Sequence, residues 1–269
     1  MKSKIIILSL AFLLCAGCSS KEGNPRPKDA NGILLIGASI AYPENTWFEM
    51  ACETLRLDFY KNNAISGTSI KDDAVKLAAG DLERSINLDD FSILAIDHVH
   101  NANVLVEKEL LDDYKDYTVS VSMSYTQAFD YVIRRYIDLC KQLEFNQNSR
   151  WYGVSGGKPV HIMLCTYWHD ARVVYNESVR RLQKKWSDIA TLCRFDEKIG
   201  FTKDDFDPET GEHVSLRYAR NNLNDTEVID GVVYGWHPTR GRDAGIQQIM
   251  ANIFVEETIA NYPEILCDR

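Results

Sequence analysis

The segment over residues 32–40 constrains the fold of this chain more than any other part of the sequence. It reads Gly-Ile-Leu-Leu-Ile-Gly-Ala-Ser-Ile, so four large apolar residues lead to Gly37 and then to Ser39. A short apolar run that ends at a glycine is typical of a strand buried on both faces of a parallel sheet. A serine on the turn after such a strand lies at the edge where open α/β sheets bind ligands. The alternative is a serine that caps the next helix.

The rest of the chain alternates apolar runs with helical periodicity. The pattern predicts further strands over 57–60, 91–96 and 159–165, and helices over 43–57, 72–82, 125–143, 176–193 and 245–259. Strands that alternate with helices of this length predict βαβ crossovers. We therefore expect an α/β fold of three layers (α/β/α), with a mainly parallel, flavodoxin-like sheet.

The C-terminal part carries a different signal. Residues 226–234 read Thr-Glu-Val-Ile-Asp-Gly-Val-Val-Tyr, and Asp-Gly between two β-branched runs predicts a hairpin. Trp236, His237 and Pro238 follow directly. The flanking tryptophan and proline indicate that His237 lies on a held loop and not on a free one.

Three blocks in this order resemble the SGNH (GDSL-type) hydrolase family: Gly37 with Ser39, the segment 63–70 with Gly67, and His237-Pro238. The resemblance covers about residues 33–254 and implies an SGNH-type fold that hydrolyses esters without a metal or an organic cofactor. It makes Ser39 the nucleophile and His237 the base that such a weak nucleophile needs. Ser39 and Gly67 would contribute to the oxyanion hole, whose donors stabilise the charge that develops on the attacked carbonyl.

The third block departs from the family pattern of Gly-x-Asn-Asp. This chain has Asp97-His98-Val99-His100-Asn101 after its strand, so the oxyanion donor of that block is expected to be Asn101 or His100. His98 and His100 would point the same way on an extended segment, which also suggests a metal site. No third ligand is evident, and we expect no metal.

The second departure concerns the acid that orients the base in the family's catalytic triad. Tyr234 stands three residues before His237, where the family usually has Asp. Asp230 is our expected acid, and another carboxylate or a backbone carbonyl are the alternatives. A polar or sugar-binding cleft is expected at the same sheet edge, against the alternative of a packed loop. Its predicted lining is His98, Trp168, His169, Asp170 and Trp236.

The N-terminus predicts export. Residues 1–18 combine two early lysines, a short apolar run and the ending Leu-Cys-Ala-Gly-Cys, which resembles a bacterial lipobox. The expected product starts at Cys18, carries lipid there, and continues through a flexible tether over 19–31 into a single domain over 32–269. We therefore expect a lipid-anchored protein of the bacterial cell envelope, with an ordinary secreted protein or a buried N-terminal strand as alternatives.

Charge and cysteines narrow the range of partners. The net charge of −9 becomes −11 once Lys2 and Lys4 leave with the signal, and such an acidic chain is a poor nucleic-acid binder. Five cysteines follow Cys18 without a Cys-x-x-Cys pair, so no zinc site is suggested. Cys140 and Cys165 lie in apolar patterns and are expected to be small core residues.

Two functions remain open from the sequence. The first is a serine ester hydrolase that acts, through an acyl-serine, on an O-acyl (acetyl) ester of a carbohydrate; this substrate rests on family analogy. The second is a non-catalytic glycan- or partner-binding lipoprotein on the same fold. A weaker third is a phosphate binder that uses the helix after Ser39. A hydrogen bond between Ser39 and His237 would favour the hydrolase.

Overall fold

A computed structural model describes residues 30–98, 118–219, 225–241 and 245–266. Its strands are β1 (Gly32–Gly37), β2 (Phe59–Asn62), β3 (Ile93–Asp97), β4 (His161–Cys165), β5 (Ala190–Cys193), β6 (Thr226–Ile229) and β7 (Val232–Gly235). The first five form one sheet in the order β2-β1-β3-β4-β5, with every pair parallel. This is the flavodoxin-like order, so the predicted fold class is confirmed.

Helices cover both faces of the sheet. They are α1 (Trp47–Leu55), α2 (Ile70–Ala78), α3 (Asp81–Ser85), α4 (Tyr125–Gln142), α5 (Val173–Lys185), α6 (Phe195–Ile199) and α7 (Ile246–Asn261). One layer contains α1, α6 and α7, since α7 packs against both of the others. The opposite layer contains α2 and α4, and an ion pair of 2.8 Å between Lys185 and Asp130 ties α5 to it.

The central strands owe their position to their mostly apolar side chains. All six residues of β1 are buried, as are all five of β3. Burying one large aliphatic side chain contributes roughly 1.5–3 kcal/mol, so this strand pair can lie only between two helical layers. Cys140 and Cys165 are free thiols in this core, as predicted.

The structure corrects two predicted elements. The helix expected over 176–193 ends at Lys185, and β5 occupies Ala190–Cys193 at the end of the same apolar pattern. The helix expected over 72–82 is two helices, because Gly80 adopts a φ of 75° between α2 and α3. In both cases apolar periodicity continues across a turn, so spacing alone does not reveal the break.

The predicted hairpin is confirmed. Strands β6 and β7 pair antiparallel, with Thr226 opposite Gly235, and form a two-stranded sheet apart from the central one. The hairpin therefore has to be held against the main sheet by side chains and loops. Among the described residues, no helix has both the length and the apolar character needed to cross a membrane.

Candidate active site

Ser39 and His237 meet at the carboxyl edge of the central sheet. Ser39 lies two residues after β1, and His237 lies two residues after β7. The Oγ atom of Ser39 is 2.7 Å from Nε2 of His237, although 198 positions separate them in the chain. Ser39 is 6% exposed, so the pair lies largely out of bulk water.

Asp225 holds the other nitrogen of the imidazole. Its Oδ1 atom lies 2.5 Å from Nδ1 of His237. A carboxylate only accepts hydrogen bonds when ionised, so Nδ1 carries the proton and Nε2 is left as the acceptor for the Ser39 hydroxyl. Hydroxyl, imidazole and carboxylate are thus arranged in the order that nucleophilic catalysis by serine requires.

The structure does not bring Asp230, the expected acid, to His237. Asp230 and Gly231 form the tight turn between β6 and β7, with φ angles of 51° and 83°. Positive φ at both positions is what a two-residue hairpin turn demands, and Asp-Gly provides it. Asp230 therefore lies at the tip of the hairpin, whereas the imidazole lies beyond its open end.

The hairpin register is the signal that could have identified Asp225. Since Thr226 pairs with Gly235, the next positions outward place Asp225 beside Trp236, whose N–H donates to the Asp225 carbonyl over 2.9 Å. His237 is the following residue. A hairpin centred on its Asp-Gly turn thus joins a carboxylate and an imidazole that are twelve positions apart.

The turn that carries Ser39 is packed closely against β3. A Cβ atom on Gly37 would lie 2.9 Å from the carbonyl oxygen of Asp97, and the N–H of Ala38 donates to that same oxygen over 3.1 Å. Glycine is required at position 37 because no side chain fits there. This packing fixes the backbone immediately before Ser39.

Gly67 lies in the loop after β2, with a φ of 80°. The N–H of Ile65 in that loop donates to the carbonyl of Gly37 over 3.0 Å, which brings the loop to the end of β1. The Asn62 side chain binds the carbonyl of Ala41 at 2.7 Å and accepts from the N–H of Ala64 at 3.0 Å. This one amide therefore joins the Ser39 turn to the loop of Gly67.

Only part of the third block lies within the described residues. His100 and Asn101, the two expected oxyanion donors, lie outside them. His98 is buried, and its Nε2–H donates to Asp73 on α2 over 2.5 Å. His98 therefore faces the helix layer and not an open cleft, because Asp73 offers a charged acceptor inside the protein.

Two more of the expected cleft residues point inward. Trp168 and His169 are fully buried; Trp168 binds the carbonyl oxygen of Trp236, just after β7, and His169 binds that of Gly235, the last residue of β7. The hairpin needs partners for these carbonyls, which explains why both polar rings are turned toward it. Asp170 and Trp236 are partly exposed, and the Trp236 ring stacks on His237 with centroids 5.0 Å apart.

Two buried groups near this edge have displaced pKa values. Burial raises the pKa of Asp97 to about 7, and the neighbouring indole of Trp47 offsets part of the rise. Burial lowers the pKa of His169 to about 3, even though its bond to Gly235 favours the proton. Desolvation disfavours the charged form in both cases, so Asp97 is partly protonated and His169 is neutral near pH 7.

A cationic group flanks the serine. Arg240 donates to the carbonyl of Ser39 over 3.2 Å, and its guanidinium lies 5.3 Å from the ring centre of the exposed Tyr42. The described ranges contain no group of three or more His, Cys, Asp or Glu side chains arranged to hold a metal ion.

Several solved structures are similar to this chain. The crystal structure of TesA superposes on it with a TM-score of 0.42 and 11% sequence identity, and the match covers 87% of this chain and 99% of TesA. A lipolytic protein of the G-D-S-L family from Veillonella parvula has a TM-score of 0.44 and 10% sequence identity, and the match covers 86% of this chain and 98% of that protein. The esterase EstA from a Pseudoalteromonas species has a TM-score of 0.41 and 11% sequence identity, and the match covers 86% of this chain and 97% of EstA.

The search of curated proteins found no match to the sequence. A family model described as "Domain of unknown function (DUF5040)" matches residues 30–261. That range spans the whole α/β fold, including Ser39, Asp225 and His237, and the chain therefore belongs to the DUF5040 family.

Proposed function

We propose that this protein is a serine ester hydrolase with Ser39 as nucleophile, His237 as general base and Asp225 as the orienting acid. The observation that carries the proposal is the continuous contact from Ser39 Oγ to His237 and on to Asp225. A serine hydroxyl is activated by such a base, and the base by its carboxylate. A phosphate binder or a glycan-binding protein has no use for this arrangement.

The reaction would follow from the proton positions. Ser39 Oγ attacks the ester carbonyl while its proton moves to Nε2 of His237, and the resulting imidazolium is stabilised by Asp225. His237 then gives that proton to the departing alcohol, which leaves an acyl-serine. His237 then deprotonates a water, which attacks the acyl-serine. The carboxylic acid leaves as His237 returns this proton to Ser39 Oγ, which restores the free serine.

The oxyanion hole is proposed to use the backbone N–H groups of Ser39 and Gly67, with Asn101 or His100 as a third donor. The bond from Ile65 to Gly37 supports this proposal, because it holds the Gly67 loop at the edge that carries Ser39. Each well-placed donor would contribute roughly 3–4 kcal/mol to the transition state.

For the substrate we propose an O-acetyl ester of a carbohydrate. Two aromatic rings with accessible surface support it: Trp236 stacks on His237, and Tyr42 lies against Arg240, which binds the Ser39 carbonyl. Aromatic faces at the mouth of a site suit the apolar faces of sugar rings. Acetate release from O-acetylated glycans should then exceed hydrolysis of long-chain fatty esters; the reverse preference would contradict this substrate.

The mechanism is tested by labelling with a fluorophosphonate, which reacts only with activated serines. We expect the purified protein to be labelled and both Ser39→Ala and His237→Ala to resist labelling. Ser92→Ala serves as the matched control, because Ser92 is an equally buried serine at the opposite end of the sheet, bonded to Gly32. A folded wild-type protein that is not labelled would contradict the mechanism and favour the glycan-binding alternative.

We also propose that Cys18 carries the lipid anchor and that the protein is located in the bacterial cell envelope. The apolar run and the terminal cysteine of residues 1–18 support this proposal. Metabolic labelling with a palmitate analogue should mark the wild-type protein and spare Cys18→Ala. Equal labelling of both, or of neither, would contradict it.

A further inference from the structure

Both residues that would activate Ser39 belong to one hairpin. Asp225 directly precedes β6, and His237 follows β7 by two residues. The bond from the Trp236 N–H to the Asp225 carbonyl, 2.9 Å long, closes the open end of this hairpin. The hairpin is not paired with the central sheet, which carries Ser39. The distance from base to nucleophile therefore depends on whatever seats the hairpin against that sheet.

Three consecutive rings after β4 bind the loop that leads to His237. The Tyr167 hydroxyl lies 2.8 Å from the carbonyl oxygen of Trp236, and the Trp168 indole N–H donates to the same oxygen over 3.0 Å. His169 Nε2 lies 3.0 Å from the carbonyl oxygen of Gly235. All three rings are fully buried, so the donor side of each bond is shielded from water.

A largely buried ion pair holds the same hairpin through its first strand, β6. Glu227 on β6 is bound by the Arg172 guanidinium through Nε at 3.3 Å and through a shorter bond from Nη2. The Tyr167 hydroxyl also lies 2.9 Å from Oε1 of Glu227. Burial, followed by the Glu227 carboxylate, raises the pKa of Tyr167 well above its usual value, so the phenol keeps its proton and remains a donor.

Tyr167 thus joins the two strands of the hairpin to the sheet. Its hydroxyl is shared between Glu227, two residues after Asp225, and the Trp236 carbonyl, one residue before His237. Arg172 directly precedes α5, and its guanidinium carbon lies 5.1 Å from the centre of the Tyr167 ring. Both residues belong to the connection between β4 and α5.

We propose that Tyr167, Arg172 and Glu227 form a positioning clamp that sets the His237–Asp225 pair at bonding distance from Ser39. None of the three touches the reacting atoms; they act through the hairpin. The proposal rests on the proposed hydrolase function, and it assigns a catalytic consequence to residues outside the three sequence blocks of Ser39, Gly67 and His237.

Tyr167→Phe is the decisive variant because it removes one hydroxyl and changes no charge. We expect its second-order rate of fluorophosphonate labelling to fall by about tenfold to hundredfold, as small misplacements of a catalytic group do. We also expect the pH profile of labelling to change, because the contact between Asp225 and His237 loosens. Glu227→Gln should also lower the second-order rate of fluorophosphonate labelling.

Glu257→Gln is the matched control. Glu257 on α7 is also a buried carboxylate paired with an arginine, Arg194, at 3.0 Å, and it has no contact with the hairpin in the described part of the chain. Its substitution should lower the melting temperature and leave the labelling profile unchanged. An unchanged rate and profile in a folded Tyr167→Phe would overturn the clamp.

A spectroscopic measurement separates failure of the clamp from failure of the proposed function. The Nδ1 proton of His237, held by Asp225, should give a low-field proton resonance that Asp225→Asn abolishes. The clamp predicts that Tyr167→Phe broadens or shifts this resonance and that Glu257→Gln preserves it. This readout requires no turnover, so a protein that is not labelled still tests the clamp; an unperturbed resonance in Tyr167→Phe would overturn it.

Discussion

At the scale of single residues, the two ends of the His237 ring have separate tasks. Nε2 faces the Ser39 hydroxyl, and Nδ1 is held by Asp225. Asp230 is nearer to His237 in the chain, but its backbone conformation commits it to the hairpin turn. Proximity in the chain is therefore a poor guide to the acid of this site.

Replacing each of the two aspartates by asparagine, one at a time, tests whether Asp225 or Asp230 is the acid. Asp225→Asn should lower the turnover rate with a small ester by on the order of 10⁴-fold, because the amide favours the wrong tautomer of His237. Asp230→Asn should change the rate less than about twofold, since Asn also tolerates positive φ in such turns. Steady-state kinetics with both variants decides the matter; a larger effect of Asp230→Asn would contradict the assignment.

Asp97 shows how a buried carboxyl makes stability depend on pH. Its folded-state pKa of about 7 lies above the ordinary value of 3.8, so the folded protein holds a proton that the unfolded chain releases between these values. Stability is therefore lost as the pH rises through this window.

Asp97→Asn should remove that loss, because the amide does not ionise. Between about pH 5 and pH 8, we expect the free energy of unfolding of the wild type to fall by about 2–3 kcal/mol relative to the variant. Urea unfolding of both proteins at several pH values measures the difference. Parallel pH profiles would show that Asp97 does not titrate in this window.

At the scale of elements, the hairpin and the chain segment over 214–219 are fitted closely together. A Cβ atom on Gly235 would lie 2.5 Å from the carbonyl oxygen of Ser215 and 2.9 Å from Cβ of Ala219. The Ser215 hydroxyl accepts the Gly235 N–H over 2.9 Å. The end of β7 is therefore fixed from this side as well as by the rings that follow β4.

Gly235→Ala should push the hairpin away from its support. We expect the free energy of unfolding to fall by about 1–3 kcal/mol, as overpacking does, together with a loss of fluorophosphonate labelling. Val228→Ala, at a 67% exposed position of the same hairpin, should stay within about 0.5 kcal/mol of the wild type. Equal stability of the glycine variant and this control would refute the close fit.

At the scale of the whole molecule, buried His169, which binds the hairpin, makes the stability of the fold sensitive to acid. The folded-state pKa of His169 is about 3, below the ordinary 6.5, so the unfolded chain takes up a proton that the folded protein refuses. Stability is therefore lost as the pH falls from about 6.5 toward 3. This direction is opposite to that of Asp97.

His169→Gln should make the protein less sensitive to acid, because the amide can still donate to the Gly235 carbonyl and does not titrate in this range. Between about pH 7 and pH 4, the wild type should lose about 3 kcal/mol relative to the variant. Thermal unfolding across this range measures the effect. A wild type and a variant that lose stability in parallel would contradict the assignment to His169.

The main elements of the fold could be predicted from the sequence because their signals are local. Apolar runs such as residues 33–36 favour burial whatever their partners are, and the Asp-Gly turn specifies its hairpin by backbone conformation alone. The break before β5 could not be predicted in this way, since the apolar spacing of residues 176–193 suits a helix as well as a helix, a turn and a strand.

The residues of the candidate site also fall into those that local sequence predicted and those that it did not. Ser39 and His237 stand in short blocks whose order along the chain already suggested a pair. Asp225, the clamp residues and the inward orientation of His98, Trp168 and His169 were decided by tertiary structure, because their partners lie on other elements. Local backbone preferences and burial depend on neighbours in the chain, whereas the orientation of a catalytic base depends on contacts between segments that only folding brings together.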